Sequence, residues 1–224
     1  MINCLARLTS LITLSAFLGI SAQCQTFSTP ATEAVTIGAN GAITGAKGDK
    51  FFNVEGKAKE KFSCYGVLKF DGAKLKKELD AKLGANKYIL NIATLELTQS
   101  NAKFTSNGSV NVYLTSMTKE DLAKLKYPYS PTSSSNKGEL IGTCNFIQKE
   151  RADSKESVSK AITPTFKVDA IEFTNKGLLA AIAKGESITI VLAEGSPNVA
   201  ATWAGKLPNG SAKLPTLKVK AIKR

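Results

Sequence analysis

Near the C-terminus apolar and charged side chains take turns. Leu217, Val219 and Ala221 are apolar, and Lys218 and Lys220 stand between them. A two-residue period puts alternate side chains on opposite faces of an extended strand, one face to the core and one to water. The same signature recurs upstream. Glu33–Ile37 alternates. In 61–70, Phe62, Cys64, Gly66, Leu68 and Phe70 share one face, and Tyr65 and Val67 the other. In 88–98, Ile89, Asn91, Ala93, Leu95 and Leu97 fall on one face; in 109–115, Val110, Val112 and Leu114 do. Asn107-Gly108 is a turn signal just before the last of these, so 88–115 is expected to form a hairpin. Further strands are expected at 139–148, 164–173, 187–193, 199–203 and 214–222.

Only short stretches carry the helical period. Leu75, Leu79 and Leu83 recur every fourth residue, Asp71 precedes them and Gly84 follows. That is an N-cap, an apolar stripe and a stop. Thr118-Lys-Glu-Asp121 has the form of a capping box and opens a short helix through Leu125. A third helix, 176–184, is expected with Thr174 as its cap and Gly185 as its stop. Tyr127–Gly138 reads as a loop, and the charged stretch 149–160 as another. Nine or ten strands with two or three short helices, and no regular strand–helix alternation, predict an all-β, antiparallel two-sheet β-sandwich of jelly-roll type.

The N-terminus breaks this pattern. Arg7 precedes Leu8–Ile20, which is apolar apart from Thr and Ser and too short to span a bilayer. Residues 1–24 therefore read as a signal peptide, with cleavage after Ala22 or Cys24, and 25–224 as one domain with no transmembrane span. A lipoprotein signal would need a small residue before Cys24, where Gln23 stands. The competing reading is a cytosolic chain with an apolar N-terminal helix. Export predicts a secreted, extracellular or cell-surface address. It also changes how cysteine reads. Cys64 and Cys144 either pair, closing a loop of about 80 residues worth ~4 kcal/mol, or sit as separate apolar thiols.

Charge narrows the partners. Thirty Lys and Arg oppose 18 Asp and Glu, a formal net charge of +12, and beyond the leader only Arg151 and Arg224 are arginines. Lysine is a hydrated point charge and lacks the bidentate fork of arginine. The excess suits diffuse attraction to an anionic polysaccharide or cell-envelope surface, not nucleic-acid readout. Aromatic residues that could stack on sugar rings are Tyr127, Tyr129 and Trp203.

The chain has no histidine. That removes Ser-His-Asp and Cys-His nucleophile systems and the common zinc sites. A glycosidase needs only two carboxylates at a fixed separation, and Glu55, Asp71, Glu96, Asp169, Glu172 and Glu194 lie near strands. No cofactor is implied. For calcium, the nearest to a ligand set is Asp49, Asn53 and Asp71.

Three segments together resemble the DNRLRE family of secreted β-sandwich domains, related to carbohydrate-binding modules. They are Ser63–Asp71, which ends in Phe-Asp; Ile92–Leu97 followed by Val110–Tyr113; and Val168-Asp169 with Thr174, Ile188–Leu192 and Leu214–Val219. The family's tryptophan-rich middle is absent, since Trp203 is the only tryptophan. The resemblance implies a jelly-roll sandwich on a secreted or surface protein, some of whose relatives bind acidic polysaccharides. The expected function is a noncatalytic structural or matrix component. The alternatives are a carbohydrate-binding module for an anionic polysaccharide and a polysaccharide lyase or glycosidase.

Overall fold

A computed structural model describes residues 24–44, 50–100, 105–125, 138–148, 167–205 and 213–224. In chain order the elements are β1 (Cys24–Gly38), β2 (Ile43–Thr44), β3 (Phe51–Glu55), β4 (Cys64–Phe70), α1 (Gly72–Leu83), β5 (Tyr88–Thr98), β6 (Gly108–Thr115), α2 (Lys119–Ala123), β7 (Gly138–Phe146), β8 (Val168–Phe173), α3 (Lys176–Lys184), β9 (Ile188–Glu194), β10 (Ala200–Ala204) and β11 (Thr216–Lys223). A 3-10 turn, Lys57–Phe62, links β3 to β4. The expected all-β, antiparallel two-sheet architecture with three short helices is present.

The strands run in the order β7-β6-β9-β4-β1-β11-β5-β8, with β3 and β10 paired beside β4. Strand β1 belongs to both layers. Its first half, 24–30, pairs with β11, and its second half, 31–38, pairs with β4. The switch falls at Pro30, which has no N–H to give to a ladder, and at Thr32, an extra residue that shifts the register between Ala31 and Glu33. A bulge of this kind bends the strand and lets it leave one sheet for the other. The first layer is therefore β1-β11-β5-β8, and the second β7-β6-β9-β4-β1. Helices α1 and α3 each cross from one layer to the other and pack together.

Between the layers lies one core. Phe27, Ala93, Leu95, Phe173, Leu217 and Val219 come from the first layer, and Leu68, Phe70, Val110, Val112, Ile190 and Leu192 from the second. Leu75, Leu79 and Leu83 of α1 enter it as their period requires. Asp71 caps that helix by accepting from the Lys74 N–H at 2.9 Å, and Gly84 ends it at φ 90°, a conformation that costs other residues.

Several expectations need correction. Residues 88–115 are not a hairpin: β5 pairs with β11 and β8, and β6 with β7 and β9. Strand β3 and the first half of β1 were not expected. Asn91 is a bulge opposite Lys220/Ala221, which turns Ile89 out to solvent and Leu90 toward the core. Phe62 is exposed, and the cap of α3 is Asn175, not Thr174. Cys64 and Cys144 are separate buried free thiols, not a bridge. Among the described residues no helix is long and apolar enough to cross a membrane.

Candidate functional site

The second layer is apolar on both faces. On its outer side Val35, Ile37, Tyr65, Val67, Tyr113, Val191 and Ala193 form a second cluster, and Leu122 of α2 completes it. Helix α2 has only five residues, too few to persist alone. Its caps and its anchor hold it. Thr118 accepts from the Asp121 N–H at 3.2 Å and donates its hydroxyl to the Asp121 carboxylate at 2.9 Å. The Asp121 carboxylate also accepts from the Thr118 backbone N–H, which closes the capping box with Asp in place of Glu. The Tyr65 hydroxyl donates to the Leu122 carbonyl at 2.5 Å and pins the helix to the sheet.

Beside this helix a groove of about 320 Å³ opens on the outer face. Val35, Val67 and Met117 line it with apolar surface, and Thr118, Ser187 and Thr189 with hydroxyls. An ion network crosses it. Lys119 Nζ donates to Glu33 at 2.5 Å, Lys69 stands 3.9 Å from the other Glu33 oxygen, and Glu120 stands 3.9 Å from Lys119. The hydrogen bond to Glu33 raises the Lys119 pKa above the usual ammonium value, against a smaller opposing effect of burial. Apolar surface with convergent polar groups is the usual make-up of a small-molecule site. Glu33 and Glu120 balance its two lysines, and the hydroxyls give it polar groups that face the apolar floor.

A second polar cluster lies inside. Asp169 is 7% exposed. Its carboxylate accepts from Trp203 Nε1 at 2.8 Å and from Gln99 Nε2 at 2.9 and 3.0 Å, with Lys167 Nζ 3.7 Å away. Gln99 and Lys167 both also donate to the Ile147 carbonyl. A buried carboxylate with this many donors is satisfied, and it ties β8, β10 and the end of β7 together. The Trp203 ring stacks on Phe52, with centroids 5.5 Å apart, and meets Phe146 edge-on at 5.4 Å.

Trp203 is therefore a core residue with no exposed surface, and it cannot stack on a sugar. Tyr127 and Tyr129 lie outside the described residues, as does Asp49. Asn53 already accepts from the Thr202 hydroxyl at 3.0 Å, and Asp71 caps α1, so these two have structural work and are not brought together. Among the described residues no group of three or more Cys, Asp or Glu is placed to hold a metal ion. Burial first, then the Glu55 carboxylate, pushes the Cys64 thiol up to about 12. Burial first, then Asp169, pushes Cys144 up to about 11. Neither is a nucleophile near neutral pH.

No family model and no curated protein matches this chain. The resemblance to the DNRLRE domains rests on its three segments alone.

The groove escaped the sequence reading because β1, β4, β9 and α2 supply it together. One signal was there to read. Ile188–Glu194 and Cys64–Phe70 are apolar at nearly every position, where a strand with one wet face alternates. A doubly apolar strand requires a cover on its outer side.

Proposed function

We propose that this chain is an exported, noncatalytic β-sandwich that serves as a structural or matrix component at the cell surface. The observation that carries this reading is the engagement of five carboxylates on or beside the strands, while Glu172 stands outward on the first layer with no second carboxylate opposite it. Glu33 is held by Lys119, Glu96 by Lys218 at 2.5 Å, and Asp169 by Trp203 and Gln99. Glu194 accepts from the Lys57 backbone N–H, and Asp71 from that of Lys74. A glycosidase or lyase acting through carboxylates needs one free to give up or take a proton at the scissile bond. Here these side chains hold the fold together. Export is inferred from the apolar stretch at 8–20 behind Arg7. Cleavage after Ala22 leaves β1 whole, because Cys24 already pairs with Ile222.

A second reading is a carbohydrate-binding module for an anionic polysaccharide, kin to the DNRLRE domains. It is favoured by the groove beside α2, where the hydroxyls of Thr118, Ser187 and Thr189 could meet sugar hydroxyls and a carboxylate or sulfate could take the place of Glu33 on Lys69 and Lys119. A panel of neutral and acidic polysaccharides separates the readings. The structural reading expects no new reducing or unsaturated ends from any polymer. Specific retention of one acidic polysaccharide, lost in Lys119→Ala, would replace it with the second reading. Released ends would overturn both.

A further inference from the structure

Among the described residues nothing covers the outer face of the first layer, and one end of it is both apolar and basic. Antiparallel register sets its outward residues in rows. Cys24, Ile222 and Ile89 form the end row, and Thr26, Lys220 and Ile92 the next. Ile89 is 49% exposed, and Ile92 and Ile222 are half-buried. Lys220 stands among them, and Lys87, Lys223 and Arg224 rim the same end, where the Arg224 N–H donates to the Lys87 carbonyl at 2.8 Å. Of the carboxylates around it, Glu172 stands outward one row further along, opposite Thr94 on the far strand, and two others are occupied. Asp80 is held by Lys76 and accepts from the Tyr88 hydroxyl, and Glu96 is paired with Lys218.

We propose that this end of the first layer rests on an anionic lipid bilayer. The chemistry of the patch selects that occupant over a protein or a polymer. The patch joins the exposed Ile89 and the half-buried Ile92 and Ile222 to lysines whose ammonium groups can reach up to headgroup phosphates while the aliphatic side chains go deeper. A polyanion without an apolar phase would make no use of Ile89. The inference is independent of the groove and of the noncatalytic reading.

Sedimentation of the exported protein with vesicles tests it. Vesicles of phosphatidylcholine mixed with phosphatidylglycerol should carry the protein down at low salt and release it at high salt. The triple variant Lys87→Gln/Lys220→Gln/Lys223→Gln should weaken partitioning roughly a hundredfold, at ~1 kcal/mol per lysine. Ile89→Ser should weaken it severalfold with an unchanged melting temperature, because the residue is exposed. Pure phosphatidylcholine should bind little. Three results would overturn the proposal: no sedimentation with anionic vesicles, equal binding to both lipids (an anchor and not this face would then hold the protein), or full binding by Ile89→Ser with equal retention on sulfated polysaccharide beads, the mark of a general polyanion surface.

Discussion

The two layers share one core but differ on their outer faces. The second layer is sealed by α2 over Tyr65, Val67, Tyr113 and Val191. Among the described residues the first is bare, and its outward residues include Thr26, Ser28, Lys218, Lys220, Ile92, Thr94 and Glu172. The difference is written in the strands. β9 is buried along six of its seven residues, whereas β11 alternates. A strand that alternates keeps a wet face available for a partner, and a strand that does not has spent both faces on stability. Binding to broad surfaces is therefore expected on the first layer, and on the second only at the margin of α2.

Charge insertion breaks the comparison most sharply. Val191 has no exposed surface on the sealed face, so Val191→Lys buries an ammonium and should cost ~4 kcal/mol or more, or prevent folding. Ile92→Lys, outward on the bare face, should stay within ~1 kcal/mol by urea titration. Near-equal effects would refute the difference between the faces. Next in size is Leu122→Ala, which empties the centre of the cover. It should cost 2–5 kcal/mol, on the order found for buried leucines, and expose Tyr65 to solvent quenchers. Tyr65→Phe removes only the hydroxyl that holds the Leu122 carbonyl. About 1 kcal/mol is expected, with faster amide exchange confined to α2. The smallest effect is Lys218→Ala, whose partly exposed pair with Glu96 should contribute under ~1 kcal/mol and less in high salt.

Alkaline stability sharpens the picture from inside. Cys64 has its pKa raised from 9.0 to about 12 by burial and by Glu55. The folded state thus holds the proton that the unfolded thiol gives up. The contribution is complete below pH 9 and declines as pH climbs from 9 toward 12. Cys64→Ala should remove that part of the alkaline decline in a pH series of melting temperatures. An unchanged profile would mean the thiol is not sealed.

Local chemistry made part of this fold legible. Asp71, Leu75, Leu79, Leu83 and Gly84 define α1 by spacing and caps, and Leu217, Val219 and Ala221 define β11 by alternation, because both signals act within a few residues. Pairing does not. Leu95 finds Leu217 across more than a hundred residues, while the nearby 109–115 strand goes to the other layer. Sequence proximity suggested a hairpin that the core overrode. The bulge at Asn91 reversed the face of Ile89, and a one-residue slip of this sort has no composition mark. Trp203 was misplaced for a different reason. Its neighbours Val199, Ala200, Ala201 and Ala204 are all apolar, and that run signals a strand buried on both sides. Its partner Asp169 is 34 residues away and could be found only in three dimensions.

Hydroxyl-radical footprinting of the folded protein, with each residue's rate normalised to the unfolded chain, tests the contrast between the faces most directly. Tyr65, Val191 and Leu122 should be strongly protected, and Ile89, Ile92 and Ile222 should react much closer to their unfolded rates. Comparable protection of the two sets would mean that something covers the first layer as well, and the bare binding face would not exist.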